Sequence, residues 1–250
     1  MLVGRVRGRR WFPEAKGIDD AGCAAGKWIG SRPMLSLLLV PLGLVVGVFA
    51  ERVATDRSFE AIVAKPGRTP YVAVATAALF PVTALLVGMH WVLPSYLWFV
   101  AVTVTLTLTD LDQKLIPNRI LFPGTVVGAV LLTAGALIES GPVLRAFAGG
   151  AIYFLVLLVV ALAARGAFGF GDVKLAFLLG LFTAYRSWET LIVAVFAAFL
   201  LGGLVSLVII VFRLKDRKDS IPFGPYLVAG AYVAIAWAAT IASWYLDGGT

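Results

Sequence analysis

The sequence is nearly without the residues that build disulfides and metal centres, having one cysteine, Cys23, and one histidine, His90. A lone cysteine closes no internal bridge, and one thiolate does not make a tetrahedral zinc site. Charge is scarce too, at 14% of 250 residues, where an ordinary soluble domain carries about 25%. Apolar residues take up the remainder: 60% of the chain is hydrophobic and the mean hydropathy is +0.94. A water-soluble fold has no means of hiding that much apolar surface, but a bilayer accepts it. Each crossing helix needs roughly 20 mostly apolar residues, which leaves room for about eight. The expected fold is therefore an all-α, polytopic membrane bundle.

Apolar runs between charged or Pro/Gly-rich breaks predict spans near 34–50, 70–90, 92–109, 120–138, 146–164, 173–186, 190–212 and 225–245. The connections at 139–145 and 186–189 are short enough to predict antiparallel hairpins. The organisation expected is one membrane-embedded domain, 34–250, preceded by a polar, basic tail, 1–33.

In a soluble protein a net charge of +7 would suggest a nucleic-acid partner. Here it reports topology instead, because Lys and Arg accumulate in cytoplasmic loops, and no nucleic acid is expected. One set of alternate loops carries Arg52, Arg57, Lys65, Arg68, Lys114, Arg119, Arg165, Lys174, Arg213, Lys215, Arg217 and Lys218; the other carries only Arg145 and Arg186. The first set is expected to be cytoplasmic. Trp91, Trp188 and Trp244 then fall at outer helix ends, as an interfacial aromatic belt requires.

Eight spans place the tail outside, although it holds Arg5, Arg7, Arg9, Arg10, Lys16, Lys27 and Arg32. The conflict disappears if translation begins at Met34, at the head of the first apolar run. The small-residue ending Val48-Phe49-Ala50 also fits a signal peptide. Cleavage there would export the basic 51–69 loop, so an uncleaved first helix is expected.

Acidic residues are few, and those at the ends of apolar helices call for an explanation. The first cluster runs Thr109-Asp110-Leu111-Asp112-Gln113-Lys114-Leu115-Ile116-Pro117-Asn118. On a helix Thr103, Thr107 and Asp110 share one face and Thr105, Thr109 and Asp112 another, so periodicity leaves open which carboxyl turns inward. Pro117 and Asn118 mark the break before the next helix. The second cluster runs Gly169-Phe170-Gly171-Asp172-Val173-Lys174-Leu175. Its glycines permit positive φ and close approach of another segment, and Asp172 opens a helix, where a carboxylate caps free N–H groups. A plain N-cap explains Asp172 taken alone.

Two carboxylates brought together at low dielectric cannot readily both ionise, so they share a proton. One then activates water while the other protonates a carbonyl oxygen. That is aspartic-protease chemistry, and it requires neither metal nor nucleophilic side chain. His90, beside Trp91, reads as an interfacial residue, Lys114 and Lys174 as snorkelling anchors, and the pairs Gly43/Gly47 and Gly124/Gly128 as helix-packing contacts. A third stretch, Ile221-Pro222-Phe223-Gly224-Pro225, reads as a rigid turn entering the last span.

The three motifs together, from Asp110 to Asn118, from Gly169 to Leu175 and from Ile221 to Pro225, resemble the type IV prepilin peptidase family of GxGD-type membrane aspartyl proteases. The resemblance covers residues 34–245. It implies that the first catalytic aspartate is the one seven residues before the proline of the Ile-Pro segment, Asp110, and the second the aspartate of the GxGD motif, Asp172. Asp112, Lys114, Pro117, Asn118, Gly169, Gly171, Lys174, Pro222, Gly224 and Pro225 take supporting or substrate-binding places.

The family cleaves the short basic leader of prepilins or pseudopilins after a glycine at the cytoplasmic face of the bacterial inner membrane. The partners implied are such a substrate and membrane lipid. Acidic groups at 110, 112, 172, 216 and 219 suit a basic leader. Many members carry two Cys-x-x-Cys pairs in a larger first cytoplasmic loop and N-methylate the new terminus with S-adenosylmethionine. The 51–69 loop has no cysteine, so neither zinc nor S-adenosylmethionine is expected as a cofactor. Two other readings compete: an intramembrane GxGD protease cutting within substrate helices, and a transporter or assembly component using the acids as a proton relay.

Overall fold

A computed structural model describes residues 36–55, 69–163, 169–212 and 222–246. Among the described residues there are eight helices and no strand: α1 (Val40–Thr55), α2 (Thr69–Val87), α3 (Leu93–Gln113), α4 (Asn118–Ile138), α5 (Val143–Ala163), α6 (Phe170–Arg186), α7 (Trp188–Val211) and α8 (Gly224–Leu246). This is the expected helical bundle of a multi-pass membrane protein. The expectations for residues 1–33, for most of the 51–69 loop, and for Arg165, Asp216 and Asp219 lie outside the described residues.

Among the described residues four helices are long and apolar enough to cross a membrane: α2, α4, α5 and α7. α3 and α6 are more polar or shorter for a physical reason. α3 carries four threonines and two aspartates, and α6 has only 17 residues. These two helices hold the centre. Leu175, Leu178, Leu179, Leu181 and Phe182 of α6 are fully buried, as are Tyr96, Phe99 and Leu106 of α3. The outer helices expose large apolar side chains such as Phe122, Val130, Leu155, Ile192 and Phe196, which suits contact with lipid tails. In lipid, apolar side chains gain little by leaving their surroundings, so close packing and internal hydrogen bonds must hold the helices together.

Glycine supplies the close packing. A Cβ built on Gly180 of α6 would stand 2.6 Å from the Gly149 carbonyl oxygen and 2.9 Å from Gly150 Cα of α5. Only a bare backbone fits there. Gly43 and Gly47 do the same for α1 against Ala77 and Ala73 of α2, at 2.7 Å from each Cα, as their spacing predicts. Gly124 and Gly128 are helix-packing contacts as well, but of another kind. They face the side chains of Val102, Trp98 and Phe182 rather than another backbone.

Hydrogen bonds join the centre. Tyr96 donates to the Phe182 carbonyl at 2.8 Å, and the Thr103 and Tyr232 hydroxyls lie 2.9 Å apart, tying α3 to α6 and α8. At the end of the bundle away from the acids, Arg145 donates to the Ala184, Tyr185 and Arg186 carbonyls at 2.8, 2.6 and 2.9 Å, satisfying the C-terminus of α6. Arg186 donates to the Leu86 carbonyl at 3.0 Å near the end of α2. The two cations of the Lys/Arg-poor side thus serve as helix caps. Trp91 and Trp188 are exposed at that same end, and His90 faces Glu139 at 3.5 Å. The side chain of Trp244 lies outside those described.

Gly180→Ala is expected to lower the stability of the detergent-solubilised protein by about 1–3 kcal/mol, because backbone must move to admit the methyl. Gly203 provides the control, since a methyl added there would meet no atom within 4 Å: Gly203→Ala should leave the melting temperature unchanged or raise it.

Candidate active site

The acidic end of the bundle is assembled from three chain segments. α3 runs through Gln113, so Asp110 and Asp112 lie in its last turn rather than in a loop. Asp110 is buried at 4% exposure and Asp112 is partly exposed. This difference settles in three dimensions what helical spacing leaves open, since the face carrying Asp110 is the one turned into the bundle.

α3 stops at Lys114, which adopts the left-handed conformation with φ 56° and donates its N–H to the Asp110 carbonyl at 2.8 Å. Left-handed geometry is costly for a residue with a Cβ and is usually given to glycine. Lys114 therefore ends the helix within one turn of the buried acid. Leu115 and Ile116 lead to Pro117, the extended N-cap of α4, and Asn118, its first residue.

The second segment departs from expectation in one respect. Gly169 is the N-cap of α6, with φ −71° and ψ 135°, and Asp172 occupies the first turn rather than the cap itself. Neither Gly169 nor Gly171 has positive φ, because the chain enters α6 directly from extended backbone. Close approach explains Gly171 instead: a Cβ there would stand 2.9 Å from Ile116 Cβ. A Cβ on Gly169 would lie 3.3 Å from Asp172 Oδ2, so the carboxyl folds back over the start of its own helix. Asp172 is 7% exposed, and its Oδ1 is buried with no hydrogen-bond partner.

The third segment closes the arrangement. Gly224, first residue of α8, donates its N–H to Asp110 Oδ2 at 3.0 Å. A Cβ on Gly224 would stand 2.6 Å from that oxygen and 3.4 Å from Ile116 Cδ1. Pro225 follows in the first turn, where a missing N–H costs nothing, and Pro222 precedes it on the non-helical approach. Ile116 thus packs between Gly171 and Gly224, and joins the segment that carries Asp110 to the one that carries Asp172.

Of the supporting residues, Lys174 and Asn118 meet each other. The Lys174 ammonium donates to Asn118 Oδ1 at 3.0 Å and lies 5.1 Å from the centre of the Phe170 ring. This pair stands on the other flank of α6, because two residues along a helix turn through about 200°. Among the described residues no three His, Cys, Asp or Glu side chains are grouped as metal ligands would be. Sequence reasoning gave Ile116 no role of its own, and it counted Gly224 among the supporting residues without seeing what it supports. The absence of a side chain next to a required N–H donor becomes visible only once Asp110 is seen against it.

Comparison with known proteins agrees with this geometry. Residues 97–207 match the type IV leader peptidase family. Over 72% of the chain, the sequence is 31% identical to a prepilin leader peptidase/N-methyltransferase of Aeromonas salmonicida and 26% identical to one of Pseudomonas aeruginosa, covering 62% of each relative. A Bacillus subtilis protein of the same description is 29% identical over 71% of the chain and 69% of its own length. The chain therefore spans a little over three fifths of the length of the first two. No solved structure matches it. Three motifs meeting at two buried carboxyls, together with these similarities, support the type IV leader peptidase, or prepilin peptidase, family as the one that residues 97–207 resemble.

Proposed function

We propose that the protein is a membrane aspartyl endopeptidase that removes the short basic leader of prepilin-like substrates, with Asp110 and Asp172 as its catalytic pair. The observation that carries this reading is the convergence at one end of the bundle of two buried carboxyls, one held by a backbone N–H from a third segment.

In the reaction, one carboxyl carries a proton and the other is ionised. The ionised member takes a proton from water as the water oxygen attacks the scissile carbonyl carbon, and the protonated member gives its proton to the carbonyl oxygen. A tetrahedral diol forms. It collapses when the carboxyl that took the water's proton gives it to the amide nitrogen and the other takes a proton from a diol hydroxyl; the C–N bond breaks as the C=O re-forms, leaving the leader's new carboxyl and the free amine of the mature protein and restoring the pair. The Gly224 N–H holds Asp110 in position for both steps.

The Lys/Arg bias supports a cytoplasmic active site in the bacterial inner membrane, with the substrate's apolar helix lying in lipid beside the bundle and its basic leader reaching the acids. Both carboxyls stand within one turn of a helix end, which favours cleavage near the interface over cleavage within a substrate helix. The 51–69 loop has no cysteine, and we assign the chain neither S-adenosylmethionine nor a metal, and no nucleic-acid partner.

Asp110→Asn and Asp172→Asn should each slow leader removal by about 10²–10⁴-fold in membranes containing a co-expressed prepilin; a proton-relay protein predicts cleavage indifferent to both changes. Gly224→Ala crowds Asp110 and should cost about 10²-fold in kcat while the melting temperature holds, as expected when a reacting group is displaced by a fraction of an ångström to an ångström. Mass spectrometry of the mature product should find an unmethylated amine; a methylated terminus would overturn the cofactor assignment.

A further inference from the structure

We propose that the groove between α2 and α8, floored by α3, is the seat of the substrate's apolar segment, and that Thr107 positions that segment by hydrogen-bonding its backbone. The inference rests on the leader-peptidase reading of the carboxyl site, which it extends from the acids into the bilayer.

The groove has a volume of about 280 Å³ and is walled by residues such as Val72, Ala75, Thr107, Pro225, Ala229 and Tyr232. All of them lie toward the acidic end of their helices. Its inner end adjoins the carboxyls, because Pro225 follows Gly224, whose N–H holds Asp110, and Thr107 precedes Asp110 by three residues on α3. One helical turn thus separates Thr107 from the reacting carboxyl. The larger groove of about 830 Å³, between α4, α5 and α6, contains Lys174 and Phe177 and lies on the opposite flank of α6 from the acids.

The chemistry of α3 identifies the occupant. Thr103, Thr105 and Thr109 each return their hydroxyl to a carbonyl of the preceding turn, at 2.7, 2.8 and 2.9 Å. The Thr107 hydroxyl is buried with no hydrogen-bond partner. An unpartnered hydroxyl away from water is unfavourable, and threonine in a helix has two accessible χ1 rotamers, one exchanging the positions of hydroxyl and methyl. A lipid tail offers such a group nothing. A peptide does, because the chain next to a scissile bond must leave its helix and so frees backbone N–H and C=O groups. A single polar contact in an otherwise apolar groove therefore fits a transmembrane peptide whose end unwinds one turn from the acids.

The test uses the full-length protein in liposomes and a synthetic peptide: a basic leader ending in glycine, followed by an apolar segment of about 20 residues. Thr107→Val should raise KM about fivefold with kcat little changed, the pattern of a lost binding contact, and Thr107→Ser should restore it. Ala75→Trp fills the groove from an exposed position on α2 and should raise KM at least as much, whereas Ala151→Trp, in the larger groove, should not. A photo-crosslinking residue at position 75 should capture the peptide's apolar segment, and one at position 151 should not.

Unchanged KM in Thr107→Val and Ala75→Trp, or capture from 151 and not from 75, overturns the inference while leaving the protease reading intact. Capture from 75 by a wild-type chain that cuts nothing supports the groove and overturns the protease reading. Failure of both cleavage and capture overturns both.

Discussion

Asp110 can stand inside the bundle only because Gly224 has no side chain. The carboxyl needs space and a donor at the same point, and residue 224 supplies both: its Cβ would stand 2.6 Å from Oδ2, and its N–H bonds that oxygen at 3.0 Å. An ionisable group buried without a partner is among the costliest features a membrane protein carries. Placing the free N–H of a helix start against it lowers that cost without adding a second charge. Ile116, packed toward Gly224 on one side and Gly171 on the other, then joins the Asp110 segment to the Asp172 segment. The site is a contact among three glycine-bearing or helix-ending segments rather than a cavity lined by side chains.

The remainder of the fold can be understood as what keeps this contact in place. α3 and α6 carry the acids and are the most polar and most buried helices, so apolar helices surround them and face lipid. α6 is fixed by the Gly149–Gly150–Gly180 contact with α5, at its far end by Arg145, and about one turn before that end by Tyr96 and Phe99 against Phe182. α3 is fixed to α8 by the Thr103–Tyr232 pair. These contacts are short-range and directional. That suits lipid, where apolar burial alone does not specify which helices pair.

Much of this was legible in the residues. Hydropathy and the Pro/Gly breaks locate all eight helices among the described residues, with ends shifted by a few positions, most at α1, where Pro41 in the first turn marks the start. Spacing at Gly43 and Gly47 foretells the α1–α2 contact. Periodicity could not separate Asp110 from Asp112, because both are polar residues at one helix end and only packing distinguishes them. The resemblance to prepilin peptidases points to Asp110, and Asp110 is the buried one of the two. The α5–α6 contact was missed because Gly149, Gly150 and Gly180 lie on two helices and their complementarity appears only when those helices are side by side. The glycines of the second motif permit positive φ but do not use it, whereas Lys114 adopts it, since a helix end, not glycine content, determines where the chain must reverse.

The central claim is that the two carboxyls act as one catalytic unit, and a double-mutant cycle on leader cleavage tests it most directly. If they share one proton inventory, the Asp110→Asn/Asp172→Asn double variant should be no slower than the worse single variant, because removing either member already disables the pair. Losses that multiply, with the double variant slower by the product of the two single effects, would show two independent contributions and contradict the account.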